Sequence, residues 1–219
     1  MKKKSIFISS TGTETGKTYC TVQIIKGLLS KKLNISPYKP ILSGFDRRKI
    51  KISDSFKILK EVKSVVNYKD INNITPWIFK QPLAPSLAAL KENKTLHYDK
   101  VLEWCLKRIK NRNKKNFIKI FEGAGGLLVP IENKKTTLDL VKDLDIPLVI
   151  VVGNYLGSLS HTLSIIKNIE NYNLDLINII LNQNQDDSLN INDTEILLKQ
   201  SLGKKILVRK VFKNSNYKS

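Results

Sequence analysis

Apolar residues fall along this chain in short blocks whose spacing alternates between that of strands and that of helices. Residues 5–9 (Ser-Ile-Phe-Ile-Ser) form a short apolar run and predict a strand. A polar loop follows over 10–16. Residues 17–32 carry Val22, Ile25, Leu28 and Leu29 at helical spacing. Residues 35–38 predict a second strand, closed by Pro40, and residues 53–62 a helix with Phe56, Leu59 and Val62 inward. The stretch 72–85 carries three prolines and reads as irregular. Residues 98–110 are amphipathic, with Val101, Leu102, Cys105 and Ile109 on one side. Residues 117–121 predict a strand that runs into a glycine-rich segment.

The second half repeats the alternation. Residues 137–144 predict a short helix. Residues 148–152 are continuously apolar, as in a central parallel strand covered on both faces. A helix over 160–172, a strand over 176–181, a helix over 194–202 and a last strand over 206–211 follow. Residues 213–219 form a polar tail that is expected to be loose. This pattern predicts an α/β fold: a parallel β-sheet covered by helices on both faces, with residues 1–219 as a single domain; Gly16-Lys17-Thr18, between the first strand and the first helix, makes it the P-loop NTPase type. Ligands of such sheets bind at the carboxyl ends of the strands.

Composition narrows the picture. A chain of 219 residues with 41 % hydrophobic content can bury one sizeable core. Lys2, Lys3 and Lys4 are followed by a polar segment where a signal peptide needs an apolar one, and no run approaches membrane-spanning length, so a soluble cytoplasmic protein is expected. The two cysteines, Cys20 and Cys105, lack metal-ligand spacing and are expected to be free thiols packed as small hydrophobes. Net charge is +19, from 38 basic and 19 acidic residues. Nucleic acid would attract such a charge, but the lysines are spread over many segments and do not interleave with aromatics. No specific nucleic-acid partner and no membrane partner is expected.

The segment Ser10-Thr-Gly-Thr-Glu-Thr-Gly-Lys-Thr18 lies between a predicted strand and a predicted helix. Backbone N–H groups of such a loop, together with the helix N-terminus, cradle phosphate oxygens. Lys17 supplies a point charge for the β- and γ-phosphates, and Thr18 a hard oxygen for magnesium. The strict spacing would place glycine at 11, where Thr11 stands. Tyr38-Lys39-Pro40-Ile-Leu-Ser43-Gly44 comes after the second strand. A second lysine facing the first would stabilise the charge spread over a transferring phosphoryl group. Ser53-Asp54 and Phe121-Glu122-Gly123-Ala124-Gly125-Gly126 add carboxylates that can complete a magnesium shell, and glycines that let backbone approach a ligand.

Together these segments resemble the dethiobiotin synthetase family. Its phosphate loop is Gly-x5-Gly-Lys-Thr, matched here from Thr13 through Glu14, Thr15, Gly16, Lys17 and Thr18, with Ser10 in place of the first glycine. Its Tyr-Lys-Pro-x-x-Ser-Gly and Glu-Gly-Ala-Gly-Gly segments are both present. The resemblance implies that Lys17 and Lys39 are catalytic and that Ser43 contacts substrate. It implies ATP binding by residues 13–19 (Tyr19 included), Asp54, Glu122, Gly123, Ala124 and Gly125, and magnesium held by Thr18, Asp54 and Glu122. Val152-Gly153-Asn-Tyr-Leu-Gly157-Ser158-Leu159-Ser160-His161 is similar to the family's Val-Gly-x-x-Leu-Gly-x-x-Asn-His, with Ser160 replacing Asn. That helix start, Ser158, Leu159 and Ser160, is implied to receive the substrate carboxylate across a homodimer interface, and His161 is expected to be structural. Leu181-Asn182-Gln183 is similar to the family's Ala-Asn-Asp, which places Asn182 and Gln183 at the nucleotide base; the family's Gly-x-Ile-Pro near the C-terminus is missing from Val208–Phe212. The implied reaction joins CO2 to 7,8-diaminononanoate with ATP and closes the ureido ring of dethiobiotin, releasing ADP and phosphate in biotin biosynthesis.

Two rivals remain on the same fold. A partition-type ATPase carries a lysine five residues before the P-loop lysine, where this chain has Gly12. An amidotransferase-type ligase usually carries an additional glutaminase domain, for which 219 residues leave no room.

Overall fold

The structure, a computed structural model, describes residues 4–111, 116–183, 189–202 and 207–212. Its centre is a six-stranded sheet. The strands are β1 (Ser5–Ser10), β2 (Ile35–Tyr38), β5 (Ile118–Glu122), β8 (Leu148–Gly153), β9 (Leu176–Gln183) and β10 (Leu207–Phe212). They lie in the order β10-β9-β8-β1-β5-β2 and are parallel throughout. Every residue of β8 is buried, which accounts for its unbroken apolar run. Pro37 lies in β2, which pairs only with β5, and an edge strand tolerates a residue without an N–H.

Helices return the chain between strands. They are α1 (Lys17–Ser30), α2 (Asp54–Lys60), α3 (Tyr68–Ile74), α4 (Pro85–Lys91), α5 (Tyr98–Ile109), α6 (Thr137–Leu144), α7 (Ser158–Asn171) and α8 (Ile191–Leu202). Two minor ribbons lie outside the main sheet: β3 (Ile41–Leu42) beside β4 (Trp77–Ile78), and the hairpin β6 (Pro130–Glu132) with β7 (Lys135–Thr136). Among the described residues no helix is long and apolar enough to cross a membrane. Cys20 and Cys105 are buried free thiols, and burial pushes Cys20 up to about 12.

Several boundaries move. The helix expected over 53–62 runs from Asp54 to Lys60, because Ser53 is its cap: the Ser53 hydroxyl accepts from the Phe56 N–H. The helix expected from 160 starts at Ser158, after a left-handed Gly157. The helix expected from 194 starts at Ile191. The stretch read as irregular contains the end of α3, all of β4 and the start of α4. Asn67 and Asp70 form a reciprocal capping box on α3, and Pro85 occupies the first turn of α4, where its missing N–H costs nothing. Ile206 and the tail at 213–219 lie outside the described residues.

Strand register sets two charged residues beside each other at the sheet edge. Tyr38 of β2 is paired with Phe121 of β5, and their rings stack with centroids 5.0 Å apart. Lys39 and Glu122, the next residue on each strand, therefore leave the sheet side by side. Phe121 is fully buried, so Phe121→Ala is expected to cost about 3–5 kcal/mol, read as a lower urea midpoint with an unchanged slope. A loss below about 1 kcal/mol would mean that this aromatic pair does not anchor the β2–β5 register.

Candidate active site

The motif segments leave neighbouring strands at one edge of the sheet. β1 ends at Ser10 and leads into the phosphate loop, β2 leads into Lys39, and β5 ends at Glu122. The loop is braced from below. The Ser10 hydroxyl bonds the carbonyls of Gly12 (2.7 Å) and Gly125 (3.2 Å), while the Leu127 N–H donates to the Ser10 carbonyl at 2.9 Å. Serine at position 10 thus ties the phosphate loop to the glycine-rich segment. Gly126 eases this approach: a Cβ there would lie 3.2 Å from the Gly12 backbone, tighter than ordinary contact. Gly16 caps α1 with φ +81°, and no side chain caps the helix, so the first N–H groups of α1 remain available to an anion. A Cβ on Gly16 would lie 2.1 Å from Asn182 Nδ2.

A cavity of about 600 Å³ opens over this edge. Of the residues singled out by sequence, Thr13, Glu14, Gly16, Lys17, Thr18, Tyr19, Lys39, Ser43, Asp54, Ala124 and Gly125 line it. Glu122 and Thr15 are buried beneath these, and Gly123, packed against Phe7 and Thr137, does not line the cavity either. Leu42, Pro82, Leu83 and Val129 add an apolar wall that sequence reading missed, because β3 and the two loops that supply it are far apart in the chain.

Charges concentrate at one side. Lys39 Nζ is 2.7 Å from Glu122 Oε1 and 3.3 Å from Asp54 Oδ2. The side chains of Lys39 and Glu122 are only 3 % and 0 % exposed, so neither charge could be sustained without the other. The Thr18 hydroxyl donates to the same Glu122 oxygen at 2.8 Å. Burial pulls the Lys39 pKa down, but Glu122 and Asp54 outweigh it and hold Lys39 above its ordinary value. Burial would likewise raise Asp54, and Lys39 reverses that. Lys17 lacks such compensation. Its burial and the charge of Lys39 lower it to about 8, and its ammonium donates to the Ser10 hydroxyl at 3.4 Å.

Glu122 Oε2 is buried and has no hydrogen-bond partner among the described residues. A buried carboxylate oxygen is seldom left so, and a hard cation at this place would satisfy it. Among the described residues no cluster of three or more His, Cys, Asp or Glu side chains is placed to hold a metal. Two carboxylates and a hydroxyl nevertheless fit magnesium, which keeps waters and phosphate oxygens in its shell.

Other residues singled out by sequence lie elsewhere. Asn182 sits beneath the phosphate loop, where its amide donates to the Thr15 carbonyl at 3.1 Å. The Gln183 side-chain oxygen accepts from Asn154 at 3.1 Å. Asn154, which sequence reading passed over, also bonds the Leu189 carbonyl and accepts from Thr194, so it ties the ends of β8 and β9 to the start of α8. Ser158, Leu159 and Ser160 do not line the main cavity. His161 is exposed and bonds the Tyr155 hydroxyl at 2.9 Å.

Relatives decide what this arrangement belongs to. The chain is 31 % identical over 202 residues to the ATP-dependent dethiobiotin synthetase BioD of Phenylobacterium zucineum, covering 90 % of this chain and 84 % of that one. It is 36 % identical over 160 residues to the protein of the same name from Legionella pneumophila strain Corby, covering 73 % and 71 %. This chain belongs to the dethiobiotin synthetase family. The AAA domain family profile also matches residues 4–217. Solved structures agree on the fold alone. A plasmid partition protein of Borrelia burgdorferi bound to AMPPNP aligns with TM-score 0.54 at 16 % identity, covering 99 % of this chain and 89 % of that one. The MinC:MinD cell division complex of Aquifex aeolicus aligns with TM-score 0.51 at 17 % identity, covering 89 % and 77 %. Within the dethiobiotin synthetase family the P-loop fold and ATP dependence carry over, and Gly12 lacks the lysine of the partition-type rival.

The depressed Lys17 pKa has a direct consequence. Only the ammonium form attracts phosphate, so ATP affinity should be highest below pH 8 and fall as pH rises through about 8, approaching tenfold per pH unit. ATP titrations between pH 7 and 9.5 measure it, and a flat affinity would show that Lys17 stays charged without help from the ligand.

Proposed function

We propose that this chain is an ATP-dependent dethiobiotin synthetase, a cyclo-ligase that carboxylates 7,8-diaminononanoate with CO2 and closes the ureido ring, releasing ADP and phosphate. The observation that carries the reading is the convergence of Lys17, Lys39, Thr18 and Asp54 on one cavity, in a chain whose relatives bear that name. Residues 1–219 act as one catalytic unit in this reading.

One amine takes up CO2 as a carbamate, whose oxygen attacks the γ-phosphate. The second amine then closes the ring and expels phosphate. Lys17 and the uncapped start of α1 hold the phosphates in this reading, with Thr13, Glu14, Thr15, Gly16 and Tyr19 shaping the loop around them. Lys39 stabilises the charge of the transferring group. Thr18, Asp54 and Glu122 hold magnesium, supported by the unpartnered Glu122 oxygen; when bound, the ion neutralises phosphate charge. Ser43 contacts the diamine: it lines the cavity, and its hydroxyl is buried without a partner among the described residues. Leu42, Pro82 and Leu83 offer the apolar wall that an aliphatic diamine needs. Ala124 and Gly125 close the phosphate side, with Gly123 behind them, and Asn182 and Gln183 mark the base side.

A homodimer belongs to the same reading. The start of α7 has no side-chain cap, Leu156 beside it is 86 % exposed, and Ser158, Leu159 and Ser160 do not line this chain's main cavity. In this reading they serve a substrate carboxylate in another copy's site, through the Leu159 and Ser160 N–H groups and the helix dipole. The setting is cytoplasmic, where the two thiols stay reduced.

The test is phosphate release from ATP with bicarbonate, with and without the diamine. Release should depend on the diamine and decline on dilution below the dimer's dissociation constant. Lys39→Ala should lower it by at least about a hundredfold in a folded protein. Diamine-independent release, or near-parent turnover in folded Lys39→Ala, would remove the reading.

A further inference from the structure

Three carboxylates, Glu14, Asp54 and Glu122, stand at the phosphate site against only two ammonium groups recognised by motif, Lys17 and Lys39. Lys39 is committed to Glu122 and Asp54. A polyphosphate carrying several negative charges therefore meets a site whose own positive charge is largely neutralised, even with a divalent cation added. Lys57 also lines the cavity. It lies one turn after Asp54 on α2, and residues three apart on a helix share a face. The Ser53 cap fixes where that helix begins, so Ser55, Ile58 and Leu59 are buried while Asp54 and Lys57 face the cavity. The charge of Lys57 helps to keep Asp54 ionised. Its own ammonium has no hydrogen bond or ion pair among the described residues.

A second cavity of about 380 Å³ opens on the other side of the same side chain. It shares Thr18, Tyr19 and Lys57 with the first, and adds Val22 and Phe56 as apolar walls. Lys57 thus stands at the rim between the two spaces, beside the residue after the phosphate-loop lysine. A flexible four-carbon stem there can bring its ammonium to a phosphate oxygen without disturbing the fold.

We infer that Lys57 is a third phosphate-binding lysine of the nucleotide site, contacting the phosphate chain on the α2 side. This rests on the nucleotide-site reading above. Lys17 reaches the phosphates from the loop and Lys57 from across the cavity, so the chain is held from two sides.

Calorimetric titration of the full chain with magnesium and ATP, and separately with adenosine, tests it. Lys57→Ala should weaken ATP binding about tenfold, as expected for one charge-assisted contact, and leave adenosine unchanged. Lys57→Arg should recover most of the loss. Lys100→Ala, which removes an exposed lysine on α5, controls for bulk charge and should stay within about twofold. Parent-like ATP affinity in Lys57→Ala, or an equal loss in Lys100→Ala, would overturn the inference. Lys17→Ala separates the two readings. If it binds ATP like the parent while Lys57→Ala does not, the loop assignment fails and Lys57 stands; no ATP binding by the parent sinks both.

Discussion

Everything at this site depends on burying Lys39 and Glu122 together. Taking an ammonium and a carboxylate out of water costs several kcal/mol each, and that penalty is offset only when the two lie close and in good geometry. Here they are 2.7 Å apart, and that separation is fixed by strand register. Tyr38 opposes Phe121 across β2 and β5, so the next residue on each strand emerges beside the other. Slip the register by one residue and both charges are stranded. The edge strand β2 is thus held by its single pairing partner, by aromatic stacking and by the ion pair beyond its end.

The phosphate loop depends on the same edge from the other side. β1 runs beside β5, with Ile8 opposite Glu122, so the loop after Ser10 and the glycine segment after Glu122 leave the sheet together. Ser10 bonds both, and Gly126 lets them touch. Asn182, at the end of β9, then supports the loop from beneath through Thr15. This bracing places Thr18 against Glu122 and sets the Lys17 ammonium beside the Ser10 hydroxyl, where desolvation and the nearby Lys39 charge lower its pKa. In the proposed function, phosphate supplies the counter-charge at Lys17.

Much of this was legible in the chain. Alternating apolar blocks pointed to the parallel sheet, because the central strands bury both faces and each helix one stripe. Contiguous motifs at strand ends pointed to Lys17, Lys39 and Glu122, because chemistry bound to a phosphate needs fixed residue types at fixed spacing. Contact between distant segments stayed hidden. Nothing local announces that Pro82 and Val129 share a wall, or that Asn154 ties β8 and β9 to α8. Lys57 looked like one lysine among many, and only the start of α2 gives it a direction. α3 and α4 were passed over because the prolines between and beside them drew attention to breaks rather than to helix starts.

We propose that the unpartnered Glu122 oxygen takes a nucleotide-bound divalent cation while Lys39 and Thr18 keep the other oxygen. Thermal midpoints of the parent and of Glu122→Gln, each with ATP in magnesium and with ATP in a chelator, measure it within each variant. Ligand at about a hundred times its dissociation constant stabilises by about 2.7 kcal/mol, a rise of roughly 5–10 °C for a chain of this size. The parent should show that rise only with magnesium, and Glu122→Gln should lose most of the magnesium-dependent part. An equal magnesium-dependent rise in folded Glu122→Gln would contradict the claim and place the cation elsewhere.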